Sequence, residues 1–348
     1  MQSKAEITLG TGTKPTKPND SDDVQRERCF IDPDVLTHIG FNNQSIVHDG
    51  IVGQIRIWVG SKNTWTKATQ FALFTAIPDQ SVGSGKALLY QKGMEKLGLG
   101  GSSTSTTCVV TMIAPNSSVS PTTLHDRSEF GEESYLAKDK KAIIIAPHGG
   151  DIDMYTHHQA NEAVTALQAL GKDVSKWVCQ GYKNGGGAHD RWHITATDIN
   201  PISFPLLNQI ITNMGQGYKY AVAFHGNNEP GLEGTVIIGG SAPFDMLKAV
   251  RDAIREMPPI KTDTQTPVKV CVAKKNGAGG WELNGDDCDL PAMTDHFNKY
   301  SGDSCNNILN RLSPNGGIQI EQALEVRQNH YGSVGGGVIE ILGNLLSQ

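Results

Sequence analysis

"IIIAPHGGDIDMYTHH", residues 143–158, sets an apolar run against a loop that carries an imidazole and two carboxylates. Ile143, Ile144, Ile145 and Ala146 lead into Pro147 and His148, then two glycines, then Asp151 and Asp153. With Lys141 and Ala142 in front, the run reads as a continuous apolar strand of the type buried on both faces of an α/β sheet. The stretch "HHQANEAVTALQALGK" follows, with Ala160, Val164, Leu167 and Leu170 at helical spacing and Gly171 as a stop. A strand that ends in a polar, glycine-bearing loop before a helix is where open α/β sheets place their ligands.

Beyond this point strand and helix signals alternate. "SKWVCQ", "YAVAFHG", "TVIIGG", "VKVCVA" and "GGIQIE" read as strands, while "NQIITNM" and "PFDMLKAVRDAIREM" read as helices, the second with proline near its start. The expected fold class is therefore α/β, a mixed, mostly parallel sheet flanked by helices. Before residue 138 the pattern is different. Residues 1–28 are mainly Lys, Thr, Pro, Asp and Ser and read as a mobile polar arm. "QIRIWV", "FALFTAI" and "CVVTMIA" are strand-like and define an additional β-rich N-terminal domain over 29–115, with "KALLYQKGMEKLG" as a short helix. Residues 116–138 are turn-rich and read as a linker, which leaves 139–348 as the catalytic domain.

Composition narrows the class. A chain of 348 residues with 38% hydrophobic and 19% charged residues can build a sizeable core. No apolar run approaches the roughly 20 residues of a membrane helix, and the polar start lacks the apolar centre of a signal peptide. The expected location is cytoplasmic, or outside the cell as a mature form. The net charge of -6 argues against nucleic acid and anionic membrane as partners. Six cysteines, at 29, 108, 179, 271, 288 and 305, show neither a CxxC pair nor zinc-finger spacing. They read as reduced buried thiols, with a disulfide within the late trio as the alternative.

Three strands end in polar residues that core packing does not require: one at His148, one at His225 and one at Glu321. Two imidazoles and one carboxylate form a catalytic zinc set with a fourth position left for water. Zinc lowers the pKa of such a water to about 7 and polarises a carbonyl. A further carboxylate, off the metal, takes the water proton and passes it to the leaving amine. Glu321 closes an apolar strand and is the candidate for that role. A single strand-end histidine is more often structural, so the case rests on the three endings together.

"APHGGDIDMYT", "RWHITATDINP", "AVAFHGNNE", "VIIGG" and "NRLSPNGGIQIEQALEVR" resemble, in order, the motifs of phage and bacterial poly-γ-glutamate hydrolases. The resemblance covers roughly residues 138–348. It implies a carboxypeptidase-like α/β core, one zinc ion, and a glutamyl-containing polymer or peptide with γ-glutamyl amide bonds as substrate. It places the zinc histidines on His148 and His225, the acidic ligand on Asp153 and the catalytic glutamate on Glu321. The family pattern has Glu where this chain has Asp153, so the loop must approach more closely. Asp151, at the His-x-x-acid spacing of carboxypeptidases, is the rival ligand.

The resemblance also implies that His193, in "HITAT", lines the site. Arg327, with Arg311 behind it, is the candidate to pair with a substrate carboxylate. "YKNGGGAHDR", Tyr182 to Arg191, reads as a loop and not as a phosphate cradle, because it lacks the Lys-Ser/Thr ending. His157 and His158 read as the start of a helix. Two other readings stay open: a catalytically idle binding or structural module, and a metallocarboxypeptidase acting on another acyl-amino-acid or peptide bond.

Overall fold

The computed structural model describes residues 3–11, 22–42, 48–61, 63–64, 70–100, 105–116, 119–258, 267–275, 288 and 290–348. The chain divides into two compact units, Met1–Gly131 with Tyr182–Asn208, and Glu132–Gly181 with Gln209–Gln348. Each unit is thus built from two separated pieces of chain.

The first unit contains a closed barrel of β1 (Ala5–Thr11), β2 (Arg28–Ile31), β3 (Gly53–Val59), β4 (Phe71–Pro78), β5 (Lys86–Leu89) and β6 (Thr106–Thr111). Its order is β1-β5-β2-β4-β3-β6. Pairs β1/β5 and β2/β4 are parallel, while β1/β6, β2/β5, β3/β4 and β3/β6 are antiparallel. Inward residues such as Ile7, Leu9, Ile31, Ile55, Ile57, Phe74, Leu89 and Val110 fill the interior.

Three boundaries differ from those read in the sequence. The polar arm expected over 1–28 contains β1 and a helix at Asp22–Glu27, and Arg28 opens β2; residues 12–21 lie outside the described set. Ala5, Ile7 and Leu9 alternate with polar residues, a period-2 signal that overall composition hides. The expected helix over 86–98 splits into β5 and a helix at Gln91–Lys96. The expected linker over 116–138 carries a helix at Pro121–Asp126 and a strand, β7 (Phe130–Tyr135).

The region 139–348 is likewise interrupted, because Tyr182–Asn208 packs with the barrel. Asn200 Nδ2 donates to Val52 O and its N–H to Gln54 Oε1, while the Ser203 hydroxyl donates to Gln54 O. Gln54 in turn donates to Asp198 O. Trp192 stacks on Phe130 at 5.5 Å between ring centroids, and the Arg56 guanidinium lies over the same indole.

The second unit holds a seven-stranded sheet. Its strands are β7, β8 (Ala142–Gly150), β9 (Ser175–Gly181), β10 (Tyr220–Asn227), β11 (Thr235–Gly239), β12 (Lys269–Val272) and β13 (Gly317–Ala323), in the order β12-β11-β13-β10-β8-β9-β7. The sheet is mixed: β8/β9, β8/β10, β10/β13 and β11/β12 are parallel, and β11/β13 is antiparallel. Helices Thr156–Ala169, Phe244–Glu256 and Leu324–Leu345 cover one face. Ala160, Val164, Leu167, Leu247, Val250, Ile254, Val334, Val338 and Leu342 pack there on Ile144, Val222, Phe224, Val236 and Ile320. A smaller cluster of Leu232, Ile237, Cys271, Cys288, Met293 and Phe297 includes the Cys271–Cys288 disulfide, so the late cysteines do pair. Cys29, Cys108 and Cys179 are buried free thiols, and Cys305 is an exposed one.

The β8/β10 ladder stops short of the strand ends. β8 and β10 pair only as far as Ile145 and Ala223. Past that point β8 continues beside β9, through Gly149↔Gln180 and Gly150↔Gly181, and β10 beside β13, through His225↔Glu321. The ends of two central strands, with His148 on one and His225 on the other, therefore face a gap with no ladder across it.

Candidate metal centre

The loop after β8 folds back on its own strand. Asp153 N–H donates to His148 O at 2.7 Å, which returns the fifth residue after the histidine to its side. Gly150 has φ +71, and a Cβ there would stand 2.6 Å from Gly181 O, so only glycine fits this turn beside β9. Gly150 N–H also donates to His157 Nδ1, and burial pushes that imidazole down to about 4, so the neutral ring carries its proton on Nε2. Thr156 then closes the turn, its hydroxyl donating to Asp153 O at 2.8 Å. Tyr155, at the head of the Thr156–Ala169 helix, sits in left-handed backbone at φ 75 and stacks on Tyr331.

This loop delivers Asp153 to the gap. His148 Nδ1 lies 3.2 Å from His225 Nδ1, and 3.4 Å from Asp153 Oδ2. All three residues are buried, and their ligand atoms lie within 4.8 Å of one another. Asp151 is exposed, and its N–H donates to Gly181 O, so it stands apart from the group. The geometry groups Asp153, and not Asp151, with the two histidines. Two nitrogens and one oxygen held 2.0–2.2 Å from a tetrahedral zinc are about 3.3 to 3.5 Å apart; the His148–Asp153 separation falls in that range and the His148–His225 separation just below it. Two imidazoles and a carboxylate are a donor set that fits zinc.

The surrounding groups fix this arrangement. Gly226 N–H donates to Asp153 Oδ2 at 3.0 Å. Arg327, buried on the Leu324–Leu345 helix, donates from Nε to Gln322 O and from Nη1 to Met154 O, at 3.1 and 2.8 Å. Its guanidinium packs where a Cβ on Gly226 would be, so any larger residue directly after the second histidine requires this side chain to shift. Burial draws Arg327 down from its ordinary value, while the carboxylates of Asp153 and Glu321 oppose that shift. The structure therefore commits this arginine to main-chain carbonyls beneath the site. Gln159 and Gln322 exchange two amide hydrogen bonds, at 2.8 and 2.9 Å, and tie the Thr156–Ala169 helix to β13.

Glu321 stands beside His225 in register and is buried. Gln319 Nε2 donates to its Oε1 at 3.0 Å, and Asn307 Nδ2 donates to Gln319 Oε1 in turn. Burial and then the charge of Asp153 push the Glu321 carboxyl well above the usual carboxylate range, with Arg327 and Lys299 pulling it part of the way back.

His193 belongs to the first unit, where its Nδ1 lies 2.6 Å from Glu27 Oε1, and Glu27 Oε2 accepts from Thr195 N–H. Glu27 is a buried carboxylate that composition had assigned to the arm. Glu27 and Gln319 both fall outside the motif reading; the signal for Gln319 is period 2, two places before Glu321.

Taken together, these features define a class: an α/β unit with a buried two-histidine, one-carboxylate centre at the ends of its strands. Residues 125–257 match the model of the poly-gamma-glutamate hydrolase family. His148, Asp153, His193 and His225 lie inside the matched residues, and Glu321 and Arg327 lie beyond them. The match agrees with the resemblance read from the motifs and supports a hydrolase. No curated protein matches the chain in sequence.

Among solved structures, a bacteriophage poly-gamma-glutamate hydrolase is similar at 15% identity and TM-score 0.43, over 63% of this chain and 90% of that one. A putative carboxypeptidase from Burkholderia mallei is similar at 10% identity and TM-score 0.37, over 70% of this chain and 71% of its own. A metallo-carboxypeptidase from Pseudomonas aeruginosa is similar at 11% identity and TM-score 0.36, over 86% and 81%. Among the described residues no helix is long and apolar enough to cross a membrane.

Proposed function

We propose that the chain is a zinc-dependent hydrolase of amide bonds, with γ-glutamyl linkages such as those of poly-γ-glutamate as its substrate class. One observation carries the reading: His148, Asp153 and His225 converge across the β8/β10 gap with Glu321 in register beside them. His148 Nδ1, His225 Nδ1 and Asp153 Oδ2 are the atoms that would hold the metal. A zinc bound there supplies Lewis acidity for a carbonyl and brings water within reach of deprotonation near neutral pH.

The remaining chemistry falls to the chain. Glu321 is positioned by Gln319 through Oε1 and exchanges a proton through Oε2. Buried in register with His225, its carboxylate is the group placed to take a proton from water and return it to the departing nitrogen. Arg327 holds positive charge close to Asp153 and Glu321, which limits the repulsion between the two carboxylates. The polymer substrate comes from the family match alone.

The test is metal content after dialysis, followed by a panel of γ-glutamyl and α-peptide amides. Stoichiometric zinc with turnover of the γ-linked substrates is the expected result. Zinc with turnover of α-linked substrates only would make the chain a peptidase of another bond. No bound zinc and no turnover would leave a binding or structural module.

A further inference from the structure

Asn227 is the last residue of β10, two positions beyond His225, so strand alternation gives the two side chains the same face. It is buried, and among the described residues neither its Oδ1 nor its Nδ2 has a hydrogen-bond partner. The contrast with its neighbours is sharp. Gln159, Gln319, Gln322, Asn307 and Asn310 all have amide partners in this unit. A buried amide left unpaired on both atoms is costly to folding, and native chains keep such groups where something else completes them.

We propose that Asn227 binds an amide unit of the substrate chain, next to the bond that is cut; this rests on the amide-hydrolase reading above. The choice of ligand follows from the side chain's chemistry. Asn227 offers one acceptor and two donor hydrogens, side by side. A carboxylate would satisfy Nδ2 and oppose Oδ1. An amide, with its own C=O and N–H, satisfies both at once. The carbonyl being cleaved belongs to the metal centre, so the partner of Asn227 is a second amide of the same chain. A substrate with two or more amide bonds can reach both places, and a dimer with one amide bond cannot. Asn227 is thus a length-reading residue: it favours oligomers and leaves the bond-breaking groups untouched.

The test uses the full zinc-loaded chain with γ-glutamyl dimer and tetramer, and two variants, Asn227→Leu and Asn227→Ala. The second adds no bulk, in case leucine does not fit. In the wild type kcat/KM for the tetramer should exceed that for the dimer by about tenfold, the contribution expected of a buried hydrogen-bonded amide. Both variants should bring the tetramer down to the level of the dimer while the dimer rate and zinc content stay unchanged.

Melting of the metal-free proteins supplies a readout independent of activity. The variants should melt no lower than the wild type, because they delete a buried amide that has no partner in the fold. A midpoint lowered by several degrees in both variants would show a structural amide and overturn the assignment. An unchanged tetramer-to-dimer ratio, or an equal loss on both substrates, would overturn it as well while leaving the hydrolase reading intact. A wild type that cleaves neither substrate would sink the hydrolase reading, and the assignment with it.

Discussion

Gly226→Ala is the smallest change that should disorganise the metal centre without touching a ligand. A Cβ at this position would stand 2.5 Å from Arg327 Nη2 and closer still to Cζ, so the methyl and the guanidinium cannot coexist. Gly226 does not have left-handed backbone, and alanine keeps the N–H that holds Asp153, so the damage is confined to Arg327. The displaced guanidinium loses its bonds to Gln322 O and Met154 O. Two hydrogen bonds from a charged donor contribute about 3 to 6 kcal/mol together. At roughly 2 to 4 °C per kcal/mol for a domain of this size, the melting midpoint should fall by at least about 6 °C.

The Met154 carbonyl follows Asp153 directly, so zinc affinity should weaken too, by about 10- to 100-fold as for other groups that orient a ligand. Gly171→Ala is the control. Gly171 has φ +73 with nothing within 4 Å of a Cβ, so alanine there costs only the left-handed backbone, about 1 to 2 kcal/mol. The assay is thermal and urea unfolding of both variants, with a cycle through Arg327→Met. If the clash is the cause, Gly226→Ala should cost far less once Arg327 is gone, a coupling of at least about 1.5 kcal/mol. A Gly226→Ala protein that melts within about 2 °C of the wild type, or effects that simply add in the double variant, would refute the reasoning.

Glu321→Gln should lower kcat by at least about 100-fold on γ-glutamyl substrates with zinc content near wild type, because Gln319 can still donate to the amide oxygen; loss of zinc in the variant would make Glu321 a ligand instead. In the metal-free protein His157 should withdraw stability between about pH 6.5 and pH 4, against the opposite contribution of the raised Glu27 and Glu321 carboxyls. His157 titrates normally when unfolded but only near 4 when folded, so the unfolded state takes up the proton first and the folded state loses up to about 3 kcal/mol across that window. His157→Gln should take this contribution out of the slope of urea midpoint against pH, and an unchanged slope would contradict the assignment. A chain starting near Ser134 retains Tyr182–Asn208 but lacks the barrel that covers Trp192, Phe204 and Ile199. It should expose those side chains, at about 2 to 3 kcal/mol each for the larger ones, and bind a hydrophobic dye; a soluble, dye-silent truncation would show that this segment folds alone.

Long periodic signals survived the passage from sequence to structure, and short or non-local ones did not. The apolar run of β8, the helix after it, and the polar endings at His148, His225 and Glu321 were all legible, because each depends on neighbours in the chain. β1 was hidden because three alternating apolar residues are diluted by the polar residues around them. The membership of Tyr182–Asn208 was invisible, since Gln54 and Asn200 meet across 146 positions and nothing local marks them as partners. Asp153 could not be told from Asp151 by spacing. What separates them is where two backbone N–H groups point, Asp153's own toward His148 O and Gly226's toward the carboxylate. Arg327 read as a substrate clamp because an arginine near a catalytic strand suggests one. Its burial and its bonds to Gln322 O and Met154 O depend on parts of the chain that are remote in sequence, Met154 and Gly226 among them.

The interleaved layout of the two units constrains how the chain matures. The barrel strands leave the ribosome first, but their unit is complete only after Asn208, and the other unit opens at Glu132 and closes at Gln348. At 5 to 20 residues per second, the 140 residues from 209 to 348 take roughly 7 to 28 s to make. β10 (Tyr220–Asn227) is made early in that interval and β13 (Gly317–Ala323) only near its end, so His148, Asp153 and His225 all exist well before Glu321 is made. The barrel unit can therefore be complete before the sheet unit, and Glu321 joins the other residues of the centre last, when β13 docks between β10 and β11.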